Sequence, residues 1–166
     1  MTQYVKRILT LALLFSALFL CACGKGTDQT QPTDNTMIAN PFTECSTMSA
    51  AQKGAGFEMT APQTVAGAEP IIRVMKGYMI ELVYDTDGGD RIRIRKAVGE
   101  DDISGDYTEY ADITVLSVGG IEVTLKGDGA DSYAVATWTA DGYSYAVTTG
   151  GGSSREFMLE LAGYVQ

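Results

Sequence analysis

Three arginines at alternate positions, Arg91, Arg93 and Arg95, are the side chains of this sequence with the clearest chemical capacity. In an extended segment alternate side chains share one face, so these three present planar guanidinium forks side by side, with Lys96 following. On a chain of formal net charge −9 they form a basic cluster among acids. Such a cluster binds an anionic wall polymer or the carboxylates of a partner protein. The competing reading is pairing across strands with the chain's own acids, Glu81 or Glu122. A second group, Trp138, Tyr143 and Tyr145, flanks an Asp141-Gly142 turn on two adjacent strands. If exposed, these rings suit stacking on sugars or a protein hot spot; if buried, they are core packing.

Catalytic chemistry has little to work with. The chain contains no histidine, which removes Ser-His-Asp and Cys-His arrangements, histidine metal ligands and the usual acid–base group near neutral pH. There is no G-x-S-x-G elbow, Walker loop or dinucleotide fingerprint. Asp101, Asp102 and Asp106 gather around Gly105, and a pair of carboxylates of suitable separation is the apparatus of a glycan hydrolase. The same residues also serve as turn caps in an acidic loop. Asp85-Thr86-Asp87-Gly88-Gly89-Asp90 has carboxylates at alternate positions, yet against an EF-hand template position five is Gly89 and position twelve is Lys96, where a bidentate Glu is required. It reads as a hairpin loop. No metal or other cofactor is expected, and no catalytic residue is assigned.

The N-terminal residues carry a different chemistry. A start bearing Lys6 and Arg7 leads into an uncharged apolar run, Ile8–Leu20, and then Cys21-Ala22-Cys23-Gly24. This is the layout of a secretory signal, and 13 apolar residues fall short of the roughly 20 that span a bilayer. Leu20, with Ala22 immediately before Cys23, resembles the lipobox of bacterial lipoproteins. That resemblance implies a thioether-linked diacylglycerol on Cys23, which becomes the first residue after cleavage. Cys21 is the poorer choice because bulky Leu20 precedes it. Two acyl chains suffice for stable anchoring.

Cleavage before Cys23 removes Lys6 and Arg7 but no acid, leaving 10 basic and 21 acidic residues among 144, a net of −11. So acidic a chain is a poor ligand for nucleic acid and for an anionic membrane surface, so the lipid must provide the membrane attachment. Cys45 then stands alone, which excludes a disulfide scaffold and a cysteine zinc cluster. Residues 24–40, GKGTDQTQPTDNTMIAN, are too polar to order themselves; as a flexible tether they span about 20–25 Å.

The elements that must position the arginines lie in residues 41–166. Ser46 or Thr47 caps a short helix through about Ala55. Seven strands follow from alternation and turn signals: 71–76, 78–85, 91–97, 113–118, 121–126, 132–139 and 143–148. Asp87-Gly88-Gly89, Gly119-Gly120, Gly127-Asp128-Gly129 and Asp141-Gly142 are turn formers between them, which predicts an antiparallel meander. Ser153-Ser154-Arg155-Glu156 has the capping-box pattern, with Ser153 as cap, and opens a C-terminal helix. The expected fold is α+β: an antiparallel sheet of about seven strands with the two helices packed on one face.

Asn40-Pro41-Phe42, the helix ending at Gly56-Phe57, MIELVY (79–84), RIRIRKA (91–97), DISGDY (102–107), VTLKG (123–127) and ATWTADGYSYAV (136–147) occur in collinear order. Together with the terminal helix they resemble an uncharacterised domain family of secreted lipoproteins from Gram-positive, clostridia-like bacteria. The block from Trp138 onward more loosely resembles extracytoplasmic domains of some anti-sigma factors. These resemblances imply a surface location, and the loose one an accessory role in envelope-stress signalling. The expectation is a lipid-anchored, extracytoplasmic, non-catalytic binding or sensing module. It would contact a protein or wall polymer through Arg91, Arg93 and Arg95 or Trp138, Tyr143 and Tyr145, with a carboxylate glycan hydrolase as the alternative.

Overall fold

The computed structural model describes residues 40–129 and 131–166, which build an eight-stranded antiparallel sheet covered on one face by two helices. The strands are β1 (Thr43–Cys45), β2 (Pro70–Met75), β3 (Met79–Asp85), β4 (Arg91–Val98), β5 (Asp112–Val118), β6 (Ile121–Gly129), β7 (Ser132–Ala140) and β8 (Tyr143–Ser153). Helix α1 (Met48–Ala55) sits between β1 and β2, and α2 (Arg155–Tyr164) closes the chain. The α+β class and the one-sided helix packing are as expected. The eighth strand is β1, three residues long and too short to show alternation.

Strand order is β1-β2-β3-β4-β8-β7-β6-β5, so the sheet comprises two four-strand meanders joined where β4 pairs with β8. Short connections such as Gly119-Gly120, both at positive φ, give the hairpins within each half. The link from β4 to β5 is different. It runs from mid-sheet to the far edge, and residues 99–111 therefore form a strap across the sheet face opposite the helices.

Period-two alternation separates the faces. Ile80, Leu82, Tyr84, Ile92, Ile94, Val123, Leu125 and Val147 point toward the helices and join Ala51, Ala55, Met158 and Leu161 in the main core. Thr47 caps α1 by accepting from the Ala50 amide at 3.2 Å. Ser154, rather than Ser153, caps α2, accepting from the Phe157 amide at 3.3 Å. The cap moves by one residue because β8 continues through Ser153, whose backbone pairs with Tyr133.

Candidate functional site

The face opposite the helices carries Arg91, Arg93 and Arg95 from β4, Glu81 from β3, Lys126 from β6 and the strap. Its small apolar cluster, Met79, Ala97, Ile103 and Ala146, anchors the strap by Ile103. Arg95 does most of the polar anchoring. Its Nη1 donates to the carbonyls of Ile103 and Ser104, each at 2.8 Å. Its Nε and Nη2 donate to Glu81 Oε2 at 2.8 and 2.7 Å. Glu81 is only 2% exposed, and its other oxygen lies 3.5 Å from Arg73 Nη1. A buried carboxylate is thus held between two guanidinium groups, one of which also fixes the strap.

The strap braces itself as well. The Ser104 amide donates to Asp102 Oδ1 at 2.9 Å, the Asp106 amide to Ser104 Oγ at 3.3 Å, and the Thr108 amide to Asp106 Oδ1 at 2.8 Å. Lys126 ties Asp102 to the sheet at 2.8 Å, and the Tyr110 hydroxyl donates to Asp106 at 2.8 Å. Desolvation pushes the Asp102 carboxyl up, but Lys126 and the Ser104 donors outweigh it and hold the group below the usual carboxylate range. At Asp106 desolvation is likewise overcome, here by the Thr108 and Tyr110 donors and the Lys126 charge. Asp102 and Asp106 are therefore turn-forming anions, as in the capping reading of this loop. Asp101 is exposed.

Two clefts open beside the strap. One, of about 370 Å³, is lined by Arg91, Arg93, Ser104, Asp106, Thr108, Tyr110 and Thr148 among others. The second, of about 340 Å³, is acidic, with Glu100, Asp101, Asp102 and Glu122 in its wall. The arginines divide accordingly. Arg95 is committed to Glu81 and the strap. Arg91 is half-exposed and donates to Asp85 at 2.6 Å, a bond that holds the Asp85 carboxyl below its usual range. Arg93 has no ion pair or side-chain hydrogen bond among the described residues, while Arg73, Arg91, Arg95 and Arg155 each have an acidic partner. A guanidinium with open donors therefore faces a cleft of small-ligand size. Pairing with the chain's own acids holds for Arg95 and Arg91, and the acids are Glu81 and Asp85 rather than Glu122.

The aromatic group lies elsewhere. Trp138 and Tyr145, 4% and 5% exposed, stack on each other in the helix-side core with centroids 5.2 Å apart and planes 3° from parallel. They border the acidic cleft but expose too little ring to stack on a sugar. Tyr143 is half-buried against Phe57. Lys96, adjacent to Arg95 in sequence, points to this opposite face. Its Nζ lies 4.5 Å from the Tyr143 ring centroid and 5.3 and 5.6 Å from those of Tyr145 and Phe57, and donates to the Glu58 carbonyl at 2.8 Å. Desolvation lowers its pKa, partly offset by Asp141 and Glu58. These aromatics pack around a buried cation of the protein itself.

The loop 85–90 closes as a hairpin, with the Thr86 amide and hydroxyl donating to the Asp90 carbonyl, both at 3.0 Å. Among the described residues no cluster of three or more carboxylate or thiol groups has the geometry of a metal site. Cys45 is a half-buried free thiol. Cys23, with residues 1–22 and 24–39 on which the expected signal and most of the expected tether fall, lies outside the described residues. Thr108, Tyr110 and Thr148 complete the Arg93 cleft without any sequence signal, because the strap's path brings the first two to β4 and the pairing of β8 with β4 sets Thr148 opposite Arg93. Compared with protein-family models, curated proteins and solved structures, the chain matches none.

Proposed function

We propose that this protein is a lipid-anchored, extracytoplasmic binding module, without catalytic activity, whose contact site is the strap face. The Arg93 cleft takes a phosphate or carboxylate group of a wall polymer or partner protein. The observation that carries this reading is Arg93, which has no ion pair among the described residues and lines a cleft with Thr108, Tyr110, Thr148 and Asp106. A guanidinium with its fork open recognises planar or tetrahedral anions through paired hydrogen bonds. The location rests on the Leu20–Cys23 pattern and on the resemblance to secreted lipoprotein domains. A net of −11 after cleavage makes nucleic acid an unfavourable partner.

The glycan-hydrolase alternative has less support, since a general acid requires a raised pKa and both Asp102 and Asp106 are lowered. The envelope-stress reading rests on the loose resemblance of the C-terminal block alone. Retention of the full chain on immobilised polyphosphate and on polyglutamate tests the binding site with both anion types. Arg93→Glu should abolish retention, Arg91→Glu should weaken it, and Arg155→Glu, which lies at a different ion pair, should leave it unchanged. Equal retention of the Arg93→Glu chain would remove the cleft from consideration.

A further inference from the structure

The two edges of the sheet are unequal. One is β1, three residues long; the other is β5, seven residues that pair with β6 through all seven positions without a bulge. β5 reads Asp-Ile-Thr-Val-Leu-Ser-Val, with no proline, no lysine and its one charge at the first position. Edge strands are normally blunted by shortness, charge, proline or a bulge, and β5 has none of these between residues 113 and 118. Among the described residues no strand lies beside its outer backbone groups. Ile113 and Val115, on the strap face, are 62% and 56% exposed.

We propose that β5 is a self-association edge, pairing antiparallel with β5 of a second copy about a two-fold axis through Val115. That register sets Val115 opposite Val115 of the other copy, Ile113 opposite Ser117, Thr114 opposite Leu116 and Asp112 opposite Val118. No charge faces a like charge, the exposed Val115 side chains of the two copies meet, and Ile113 of each lies diagonal to Val115 of the other. The preference for a second copy over an unrelated peptide rests on this self-complementarity, because one nearly uncharged strand supplies both halves of the register. An axis normal to the sheet keeps both strap faces on the same side, and with them both Arg93 clefts. Two linked sites gain avidity without any new contact, a consequence that depends on the proposed binding site, whereas the pairing itself does not.

Sedimentation of the full chain in non-ionic detergent, together with thiol cross-linking in intact cells, tests the pairing. The protein mass should double as concentration rises. Because both copies are acidic, added salt should strengthen the association, whereas a basic peptide on the same edge would be weakened by salt. Val115→Cys should give a dimer of the chain under a short bis-maleimide. Ser117→Cys should not, since it lies opposite residue 113 and far from its own counterpart. Val115→Lys places like charges directly opposite and should raise the dimer dissociation constant by at least about tenfold, with its circular dichroism and melting temperature retained. A monomer at every concentration, equal cross-linking of the Val115→Cys and Ser117→Cys chains, or cross-linking of the Val115→Cys chain to a different protein would each overturn the proposal.

Discussion

Arg95 joins the sheet to the strap, and its loss should be felt more than that of its two neighbours. Arg95→Ala leaves Glu81 nearly buried with only the 3.5 Å contact to Arg73, a defect worth about 3–5 kcal/mol, readable by urea denaturation. Arg93→Ala should change stability by less than about 0.5 kcal/mol, as expected of a side chain with no ion pair or side-chain hydrogen bond among the described residues. Gly105 is constrained by the same arginine. Its φ is +67°, and a Cβ there would lie 2.6 Å from Arg95 Nη1, so Gly105→Ala should destabilise by about 1–3 kcal/mol and loosen strap amides in hydrogen exchange. Tyr84 gives a pH signature. Fully buried, with its hydroxyl donating to the Pro62 carbonyl at 2.6 Å, it has its pKa raised by desolvation from 10.0 to about 12. A phenol raised in the folded state contributes stability that is complete below about pH 10 and lost as pH climbs toward 12. Tyr84→Phe should flatten that alkaline decline and lower stability near neutral pH by about 1 kcal/mol; an unaltered alkaline profile would contradict the assignment.

At the scale of elements, the sequence is legible where local periodicity determines structure. RIRIRKA separates its arginines from its isoleucines across the sheet, and that alternation also places Lys96 on the opposite face from Arg95. The strap is not legible in this way: DISGDY shows turn formers but not which strands they cross. The pairing of β4 with β8 depends on the path of residues 99–111, and no short-range signal encodes that path. The fate of Trp138, Tyr143 and Tyr145 is equally open in the sequence, because alternation assigns a residue to a face without saying which face a helix will cover. The α2 cap is an instructive difference, since the spacing to Glu156 favours Ser153 as the cap, and only the extension of β8 through Ser153 passes that role to Ser154. Ser154→Ala should therefore destabilise by about 1 kcal/mol, as should Thr47→Ala at α1. Ser153→Ala should have little effect, and equal losses at 153 and 154 in thermal melts would contradict this cap.

At the scale of the whole molecule, the helices and sheet bury one face, and the strap divides the other into a basic and an acidic cleft of similar size. On a strongly acidic protein a basic recess draws in anions only at short range, where the local guanidinium outweighs the overall field. Binding through Arg93 should therefore be specific in geometry and weak at a distance. The most direct test of the binding account is site-specific photo-crosslinking in intact cells. A photoreactive residue is placed at Thr108, in the wall of the Arg93 cleft, with and without Arg93→Glu. The account predicts a defined adduct at Thr108 that disappears when Arg93 is reversed. An adduct of undiminished yield in the Arg93→Glu chain, or none at Thr108 while the same probe at Glu122 captures a partner, would contradict it.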